Sequence, residues 1–257
     1  MTSPDTPPPA IDIRGACKTY PNGIRALEPI DLTVRQGEFV TIVGPSGCGK
    51  STLLRLIAGL SASTAGSIVL SEGFSPPRLA YVFQSPTLMP WASVQANVRL
   101  PLDLAGMPRA NADEKTRHAL ELVGLKGFAR SFPRELSGGM QMRVSIARAL
   151  ATEPRLLLMD EPFGALDEIT RNRLDREFSE LSARENLTVL FVTHSIYEAV
   201  FLSSRVLVMS PRPGRVHAEV NIDATRPRAD YFRGTVKFAT HSAQLSEMLG
   251  AVMQEAE

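Results

Sequence analysis

Short apolar runs rich in β-branched residues recur along the chain, and each is followed by glycine or polar residues. The run at residues 39–43 (Phe-Val-Thr-Ile-Val) is the clearest, and its length and composition predict a buried strand. Four other runs share this character: residues 67–70, 79–83, 155–159 and 188–193. Before them, residues 10–20 and 30–34 alternate between apolar and polar positions, which predicts two early strands separated by the turn Pro21-Asn22-Gly23.

Between residues 92 and 151 the apolar positions change to a helical period. Val94, Val98 and Leu102 form one stripe, and Asn111 stands where it could cap the start of a second helix. The stripe of that second helix is Ala112, Thr116, Ala119, Leu120 and Val123. Because no strand signal interrupts these segments, we predict a helical insert over residues 88–150, approximately, within a sheet-based domain.

The remaining segments complete an α/β pattern. Residues 169–184 predict an amphipathic helix, residues 205–209 and 215–222 a last hairpin, and the chain from residue 224 is charged and then mildly helical. We therefore predict a disordered tail over residues 1–9, one domain over residues 10–222 and a C-terminal helical tail over residues 223–257. Early antiparallel strands followed by a βα unit predict a mixed sheet. We see no chemistry in the C-terminal tail.

The stretch after the strand at residues 39–43 fits the phosphate-binding pattern G-x-x-x-x-G-K-[ST] at every fixed position. Its glycines let backbone N–H groups point at an anion, Lys50 adds a positive charge for the terminal phosphates, and the Ser51 hydroxyl is placed to hold Mg²⁺. A strand precedes the loop and a helix follows it, which is the context this motif requires. The predicted phosphate loop is Gly44, Pro45, Ser46, Gly47, Cys48, Gly49, Lys50, Ser51 and Thr52.

Polar side chains stand at the ends of three later strands. Asp160 and Glu161 end a fully apolar strand, where Asp160 is placed to hold Mg²⁺ and Glu161 to act on a water as general base. Gln84 ends another strand, where its amide is either in reach of a metal or a water, or simply solvated. His194 ends a third strand, where it either contacts a γ-phosphate or is purely structural. Ser195 begins the S-x-x-E spacing of a capping box, so a helix is expected to start at once and fix the His194 backbone. We expect His118, His217 and His241 to lie at the surface.

Two further features leave alternatives open. Ser137-Gly138-Gly139 at a helix start predicts either a second anion site or a glycine turn with Ser137 as N-cap. Tyr20, just before a turn, predicts either stacking on an adenine ring or an ordinary half-buried sheet tyrosine.

Composition excludes several classes of protein. A net charge of +1 over 257 residues gives no argument for nucleic-acid binding, and the two cysteines, Cys17 and Cys48, have no metal spacing. No run approaches the roughly 18 apolar residues of a membrane span, and the Pro-rich first nine residues do not form a signal peptide. We therefore expect a soluble chain in a reducing interior. Because Cys48 lies at a helix start, where a thiolate is favoured, we also expect alkylation of Cys48 to block ATP binding.

Taken together, the motifs resemble those of the ATP-binding subunits of ABC transporters over nearly the whole chain. The residues around Ser137 resemble the ABC signature, Gln84 the Q-loop, His194 the switch histidine and Tyr20 the adenine-stacking position. The signature match is Leu136, Ser137, Gly138, Gly139, Met140 and Gln141, and the D-loop match is Ala165, Leu166 and Asp167. The resemblance implies an α/β fold with a P-loop NTPase (RecA-like) core, an antiparallel β subdomain and an inserted α-helical subdomain.

The resemblance also implies cofactors, partners and roles. Two copies would associate head to tail as a homodimer, so that the signature of one covers an ATP held by the P-loop of the other. Lys50, Gln84, Glu161 and His194 would be catalytic, and Ser51, Gln84 and Asp160 would hold Mg²⁺. The subunit would lie at the cytoplasmic face of the inner membrane, attached through permease subunits, with a periplasmic binding protein as an indirect partner and no nucleic acid.

The segments at residues 84–91, 97–102 and 211–215 look like those of importers for nitrate, sulfonate, taurine and pyrimidine vitamin precursors. Residues 84–91 would then face the membrane subunit. The alternatives are an exporter cassette, a soluble ABC ATPase acting on ribosomes or DNA, and a P-loop kinase or switch protein. The last is disfavoured by Ser137-Gly138-Gly139, because such a protein has no use for a second phosphate cap.

Overall fold

The computed structural model describes residues 9–76, 78–164 and 166–254. Its strands are β1 (Pro9–Thr19), β2 (Arg25–Arg35), β3 (Phe39–Val43), β4 (Ala65–Leu70), β5 (Leu79–Val82), β6 (Leu156–Asp160), β7 (Thr188–Val192), β8 (Arg205–Met209) and β9 (Val216–Asn221). Its helices are α1 (Lys50–Ile57), α2 (Val94–Leu104), α3 (Arg109–Leu122), α4 (Gly138–Leu150), α5 (Glu168–Arg184), α6 (Ile196–Leu202) and α7 (Val236–Gln254). Short 3₁₀ turns occur at Lys126–Phe128, Pro133–Glu135 and Asp230–Gly234.

The strands form two sheets. A six-stranded sheet has the order β5-β6-β7-β3-β8-β9 and is parallel except for β9, which pairs antiparallel with β8. A separate antiparallel sheet has the order β2-β1-β4. The mixed sheet and the antiparallel β unit predicted above are therefore confirmed. Parallel order brings the carboxyl ends of β3, β5, β6 and β7 to one edge, where ligands bind in α/β proteins.

The apolar runs explain which strands are central. Every residue of β3, β6 and β7 is buried, because helices or the second sheet cover both faces of the six-stranded sheet. On one face Phe39 packs against Phe178 of α5 and Phe191 of β7, each ring pair 5.9 Å apart. On the other, α1 and the antiparallel sheet cover Val40, Ile42 and their neighbours. Burial on both faces holds the strand ends at fixed positions.

Three helices, α2, α3 and α4, follow β5 and precede β6, in the region of the predicted helical insert. The two predicted stripes are buried, including Val94, Val98 and Ala112 with no exposed surface. The N-cap prediction for Asn111 is wrong: α3 begins two residues earlier, at Arg109, behind Pro108. The fixed φ of proline and its missing N–H suit a helix start, so Pro108 takes the N-cap position, and Asn111 lies exposed in the first turn.

Residues 1–8, most of the predicted disordered tail, lie outside the described residues, whereas Pro9 is the first residue of β1 and pairs with Arg35. Beyond β9, helix α7 occupies Val236–Gln254, within the predicted C-terminal tail. Across the described parts of the chain, the structure has no helix long and apolar enough to cross a membrane.

Candidate nucleotide-binding site

The loop between β3 and α1 has the backbone of an anion cradle. Gly47 and Gly49 adopt positive φ angles of 74° and 107°, a region that L side chains rarely enter. A Cβ on Gly49 would also lie 2.5 Å from the Leu27 side chain and 2.9 Å from the Ala26 carbonyl oxygen. Gly49 precedes the first residue of α1 and no side chain caps that end. The first N–H groups of the helix therefore remain available to an anion.

Lys50 is held inside this loop. Its Nζ donates hydrogen bonds to the carbonyl oxygens of Gly44 at 2.8 Å and Pro45 at 2.9 Å, and the residue is only 6% exposed. A lysine fixed in this way presents its charge at a defined point of the loop. The geometry suits an ammonium group that meets the terminal phosphates of a nucleotide.

Ser51 and Asp160 join α1 to the end of β6. The Ser51 hydroxyl donates to Asp160 Oδ1 at 2.7 Å, and the Tyr81 hydroxyl donates to Asp160 Oδ2 at 3.1 Å. Burial, and then the Asp160 carboxylate, raise the pKa of Tyr81, so that Tyr81 remains a proton donor at neutral pH.

The pair Ser51 and Asp160 fits a magnesium ion, because Mg²⁺ prefers hard oxygen ligands and usually takes one or two from the protein. Within the described residues no cluster of three or more His, Cys, Asp or Glu side chains could hold a metal alone. Phosphate oxygens and waters would supply the other ligands. Gln84, the third predicted metal residue, has its amide nitrogen directed at Glu161 instead.

Three predicted catalytic side chains meet at one oxygen atom. Glu161 Oε2 accepts from Gln84 Nε2 at 3.2 Å and lies 3.4 Å from His194 Nδ1. Glu161 itself has a positive φ of 47°, while its backbone N–H donates to the Val192 carbonyl at 2.9 Å. The strand ends of β5, β6 and β7 therefore bring Gln84, Glu161 and His194 together, as their positions in the sequence predict.

A cavity of about 600 Å³ adjoins this group and is lined by nine of the predicted nucleotide-binding and catalytic residues. The predicted residues that line it are Tyr20, Ser46, Gly47, Gly49, Lys50, Ser51, Thr52, Gln84 and Glu161. The Tyr20 hydroxyl lies 3.2 Å from Thr52 Oγ1, and Lys18 Nζ lies 5.3 Å from the centre of the Tyr20 ring. Tyr20 is half-buried at the cavity wall. This position is compatible both with stacking on an adenine ring and with an ordinary half-buried sheet tyrosine.

Sequence reasoning missed four residues of the cavity wall: Asn22, Ile24, Ala26 and Arg212. Arg212 Nε donates to the Gly47 carbonyl at 3.3 Å, which adds a positive charge beside the phosphate loop. Two residues later, Gly214 donates its N–H to Ala26 O at 3.0 Å and packs so tightly that a Cβ would lie 1.9 Å from the Cys48 carbonyl oxygen. The sequence marked residues 21–23 and 211–214 only as turns, and residues 211–215 also as part of the family resemblance.

The expectation that the position of Cys48 favours a thiolate is wrong. Its side chain is 1% exposed and belongs to the apolar cluster beneath the loop. Burial raises the pKa of the Cys48 thiol, despite the opposing charge of Lys50. The position at a helix start favours a thiolate only when the sulfur faces solvent or a positive group, and here it faces the core.

The signature residues form a second, separate helix start. Ser137 caps α4 by accepting a hydrogen bond from the Met140 N–H at 3.3 Å, so its N-cap role is confirmed. Ser137 and Gly138 are exposed, and Gly138 has open space around its Cα. Gln141 turns inward, where Nε2 donates to the Pro133 carbonyl at 3.0 Å. None of the six residues 136–141 lines the cavity at the phosphate loop.

The predicted D-loop precedes α5. Asp167 caps this helix by accepting from the Thr170 N–H at 3.0 Å, and that bond lowers the pKa of Asp167. Leu166 O accepts a hydrogen bond from Arg171 at 2.8 Å, whereas Ala165 lies outside the described residues.

Two histidine-related predictions need correction. The capping box at Ser195 is only half formed. Ser195 Oγ accepts a hydrogen bond from the Glu198 N–H, as a capping box requires. The Glu198 carboxylate, however, accepts from Thr193 Oγ1, and the Ser195 N–H donates to the Thr193 hydroxyl instead of to Glu198. His241 is half-buried rather than at the surface, and burial lowers its pKa. His118 and His217 are exposed as expected.

Comparisons with known proteins agree with this geometry. A family model described as ABC transporter matches residues 27–164, more than half of the chain. An aliphatic sulfonates import ATP-binding protein of Burkholderia cenocepacia is 46% identical over 86% of this chain and 81% of its own length. A taurine import ATP-binding protein of Rhizobium johnstonii is 44% identical over 93% of this chain and 92% of its own.

Among solved structures, a dimeric ATP-binding cassette in a post-hydrolysis state, bound to ADP and Pi, superposes with a TM-score of 0.72. It is 32% identical, and the match covers 84% of this chain and all of that one. The relatives and the solved cassette are thus similar to this chain over most of its length, which includes the cradle at Lys50 and the end of β6. The chain belongs to the ABC transporter family, in which it is an ATP-binding subunit with ATPase activity.

Proposed function

We propose that this chain is the energy-coupling ATPase of an ABC importer for a small anion such as a sulfonate, with pyrimidine-type solutes as a further candidate class. The observation that carries the enzymatic part is the meeting of Gln84, Glu161 and His194 at one carboxylate oxygen beside the phosphate loop. The transport direction and the solute class are supported by the names of the sulfonate and taurine import relatives.

The proposed chemistry assigns one task to each group. The loop at residues 44–52 and Lys50 bind the phosphates, and Tyr20 stacks on the adenine. Ser51 and Asp160 hold Mg²⁺, which neutralises charge on the phosphates when it is bound.

Hydrolysis itself falls to the three side chains at the strand ends. Glu161 Oε2 takes a proton from the attacking water, because it is the acceptor on which the other two groups converge. Gln84 and His194 orient the carboxylate and contact the water and the γ-phosphate, respectively.

We further propose that the functional unit is a homodimer. Residues 136–141 offer an exposed serine and glycine helix start, yet none of them lines the cavity of the same chain. A second copy, placed head to tail, would supply these N–H groups and the Ser137 hydroxyl to the outer face of the nucleotide. The dimeric assembly of the related cassette supports this arrangement.

The proposed membrane link is peripheral. Trp91 and Leu104 are 76% and 79% exposed, and Trp91 ends the loop that begins at Gln84. An exposed tryptophan at the end of a catalytic loop, with a second large apolar side chain exposed at the end of α2, suits a permease contact that transmits the effect of hydrolysis. The chain would then lie on the cytoplasmic face of the inner membrane, with a periplasmic binding protein on the far side of the permease and no nucleic-acid partner.

Trapping experiments test the dimer. With MgATP, the Glu161→Gln variant should retain ATP and elute as a dimer in light-scattering chromatography, with turnover reduced at least about 100-fold. Ser137→Ala should lower turnover of the otherwise unaltered chain. Ser93→Ala is the matched control, because Ser93 caps α2 through the Ala96 N–H in the same way. A strictly monomeric ATP-loaded Glu161→Gln protein, with Ser137 dispensable, would refute the dimer.

The transport proposal has its own test. A reconstituted complex with the permease should take up taurine or an alkanesulfonate with ATP hydrolysis. ATP-dependent efflux without uptake would assign the chain to an exporter instead.

A further inference from the structure

The segment at residues 224–238, which we call the C-terminal segment, is fastened to helix α6 by a buried arginine. Arg228 is 3% exposed and its Nη1 donates to the carbonyl oxygens of Val200 at 2.8 Å and Phe201 at 2.9 Å. These carbonyls lie in the last turn of α6, where backbone acceptors lack helical partners. The segment therefore caps the helix that begins two residues after His194.

Arg233 extends this attachment to helix α5. Its Nη2 donates to Asp175 Oδ2 at 2.7 Å, and its guanidinium lies 4.0 Å from the centre of the Phe201 ring. Asp175 has no exposed surface. An ionised carboxylate so deeply buried is tolerated only when a positive group compensates it.

A second buried carboxylate adjoins the first and contacts Thr193, the residue before the histidine. Glu198 is 3% exposed, and its Oε1 lies 3.5 Å from Arg171 Nε. Its other oxygen accepts a hydrogen bond from the Thr193 hydroxyl, which itself accepts from the Ser195 N–H at 3.0 Å. The hydroxyl thus ties together the residues on both sides of His194.

The buried cluster contains equal numbers of carboxyl and guanidinium groups. Two carboxylates, Asp175 and Glu198, share two guanidinium groups, Arg171 and Arg233. Burial raises the pKa of both carboxyl groups, and the Glu198 charge raises the pKa of Asp175 further. Loss of Arg233 would leave both carboxyl groups dependent on Arg171, and a shift of Arg171 toward Asp175 would release the Arg171–Glu198 pair that holds Glu198 beside Thr193.

We propose that Arg233 of the C-terminal segment is a positioning residue for hydrolysis, which acts through Asp175, Arg171, Glu198 and Thr193 to hold His194 beside Glu161. This inference rests on the proposed function of His194 in ATP hydrolysis. The C-terminal tail, which showed no chemistry in the sequence, is then part of the catalytic support. Arg233 contacts none of the residues that bind the nucleotide, so its loss should affect turnover and not binding.

The test compares steady-state ATPase of the full-length chain with binding of a fluorescent ATP analogue. Arg233→Met should lower kcat about tenfold, with KM and analogue affinity within about twofold of wild type. The double variant Asp175→Asn with Arg233→Met should recover most of the lost kcat, since it removes the competing charge. Arg176→Met is the control: Arg176 pairs with Asp230, so it joins the same two elements, but it lies at the surface, 40% exposed.

Thr193→Val and Thr193→Ser test the contact between Glu198 and the Thr193 hydroxyl. They keep the inference testable even if Arg233→Met does not fold. The valine should lower kcat as Arg233→Met does, and the serine, which keeps the hydroxyl, should not. Equal impairment of Arg233→Met and the double variant, or full turnover of Thr193→Val, would overturn the inference.

Two reference variants separate this inference from the proposed function. If His194→Ala turns over normally, the role of His194 fails and the inference with it. If His194→Ala is impaired while Thr193→Val and Arg233→Met are not, the inference alone fails.

Discussion

The substitution Gly214→Ala offers a direct test of how the last hairpin supports the phosphate loop. The added Cβ would lie 1.9 Å from the Cys48 carbonyl oxygen, whereas real Cβ contacts stay at or beyond 3.0 Å. Gly214 cannot simply retreat, because its N–H and C=O are bonded to Ala26 O at 3.0 Å and to the Glu28 N–H at 2.9 Å. The phosphate loop or β2 must therefore shift by about 1 Å, the difference between the two contact distances.

Such overpacking typically costs about 2 kcal/mol of unfolding free energy, or a fall in Tm of about 5 °C for a domain of this size. A displacement of this size in a binding loop should lower the affinity for a fluorescent ATP analogue about tenfold or more. Calorimetry and a fluorescence titration measure the two effects. Gly127→Ala is the control, since its Cβ would meet nothing within 4 Å. Wild-type affinity and Tm for Gly214→Ala would refute the proposed contact between hairpin and loop.

Three other predictions concern the same site. Lys50→Ala should abolish ATP turnover and weaken analogue binding at least about 100-fold, because no other lysine reaches the loop carbonyls among the described residues; unchanged ATPase in a coupled assay would contradict the P-loop assignment. N-Ethylmaleimide at neutral pH should label Cys48 only after unfolding, because the thiol is buried and its pKa is raised; fast labelling of the native chain, seen by peptide mass spectrometry, would show that the loop opens. EDTA should stop hydrolysis and excess Mg²⁺ should restore it, since Ser51 and Asp160 provide the oxygen ligands; hydrolysis that persists in EDTA would exclude them as a magnesium site.

The sequence predicted most of what depends on local pattern. The apolar runs at residues 39–43 and 188–193 could be placed because strands buried on both faces need uninterrupted apolar sequence. Gln84, Glu161 and His194 could be brought together because the ends of parallel strands share one edge.

The features that sequence analysis missed depend on contacts between distant segments. Arg212 and Gly214 reach the phosphate loop only because β8 lies beside β3 in the sheet. The position of Cys48 at a helix start does not reveal that its sulfur faces the core, because packing sets the direction of the side chain. The sequence assigned no role to Arg233, because its partner Asp175 is 58 residues away in sequence.

The backbone at Glu161 carries a consequence for evolution and engineering. At a φ of 47°, asparagine or glycine would fit better than glutamate, which bears a conformational cost of about 1 kcal/mol. Replacement by asparagine would relieve that cost and remove the proposed base in one step. A library of variants selected for thermal stability alone would therefore enrich stable but inactive proteins. Glutamate is retained at this position only when selection acts on ATP turnover.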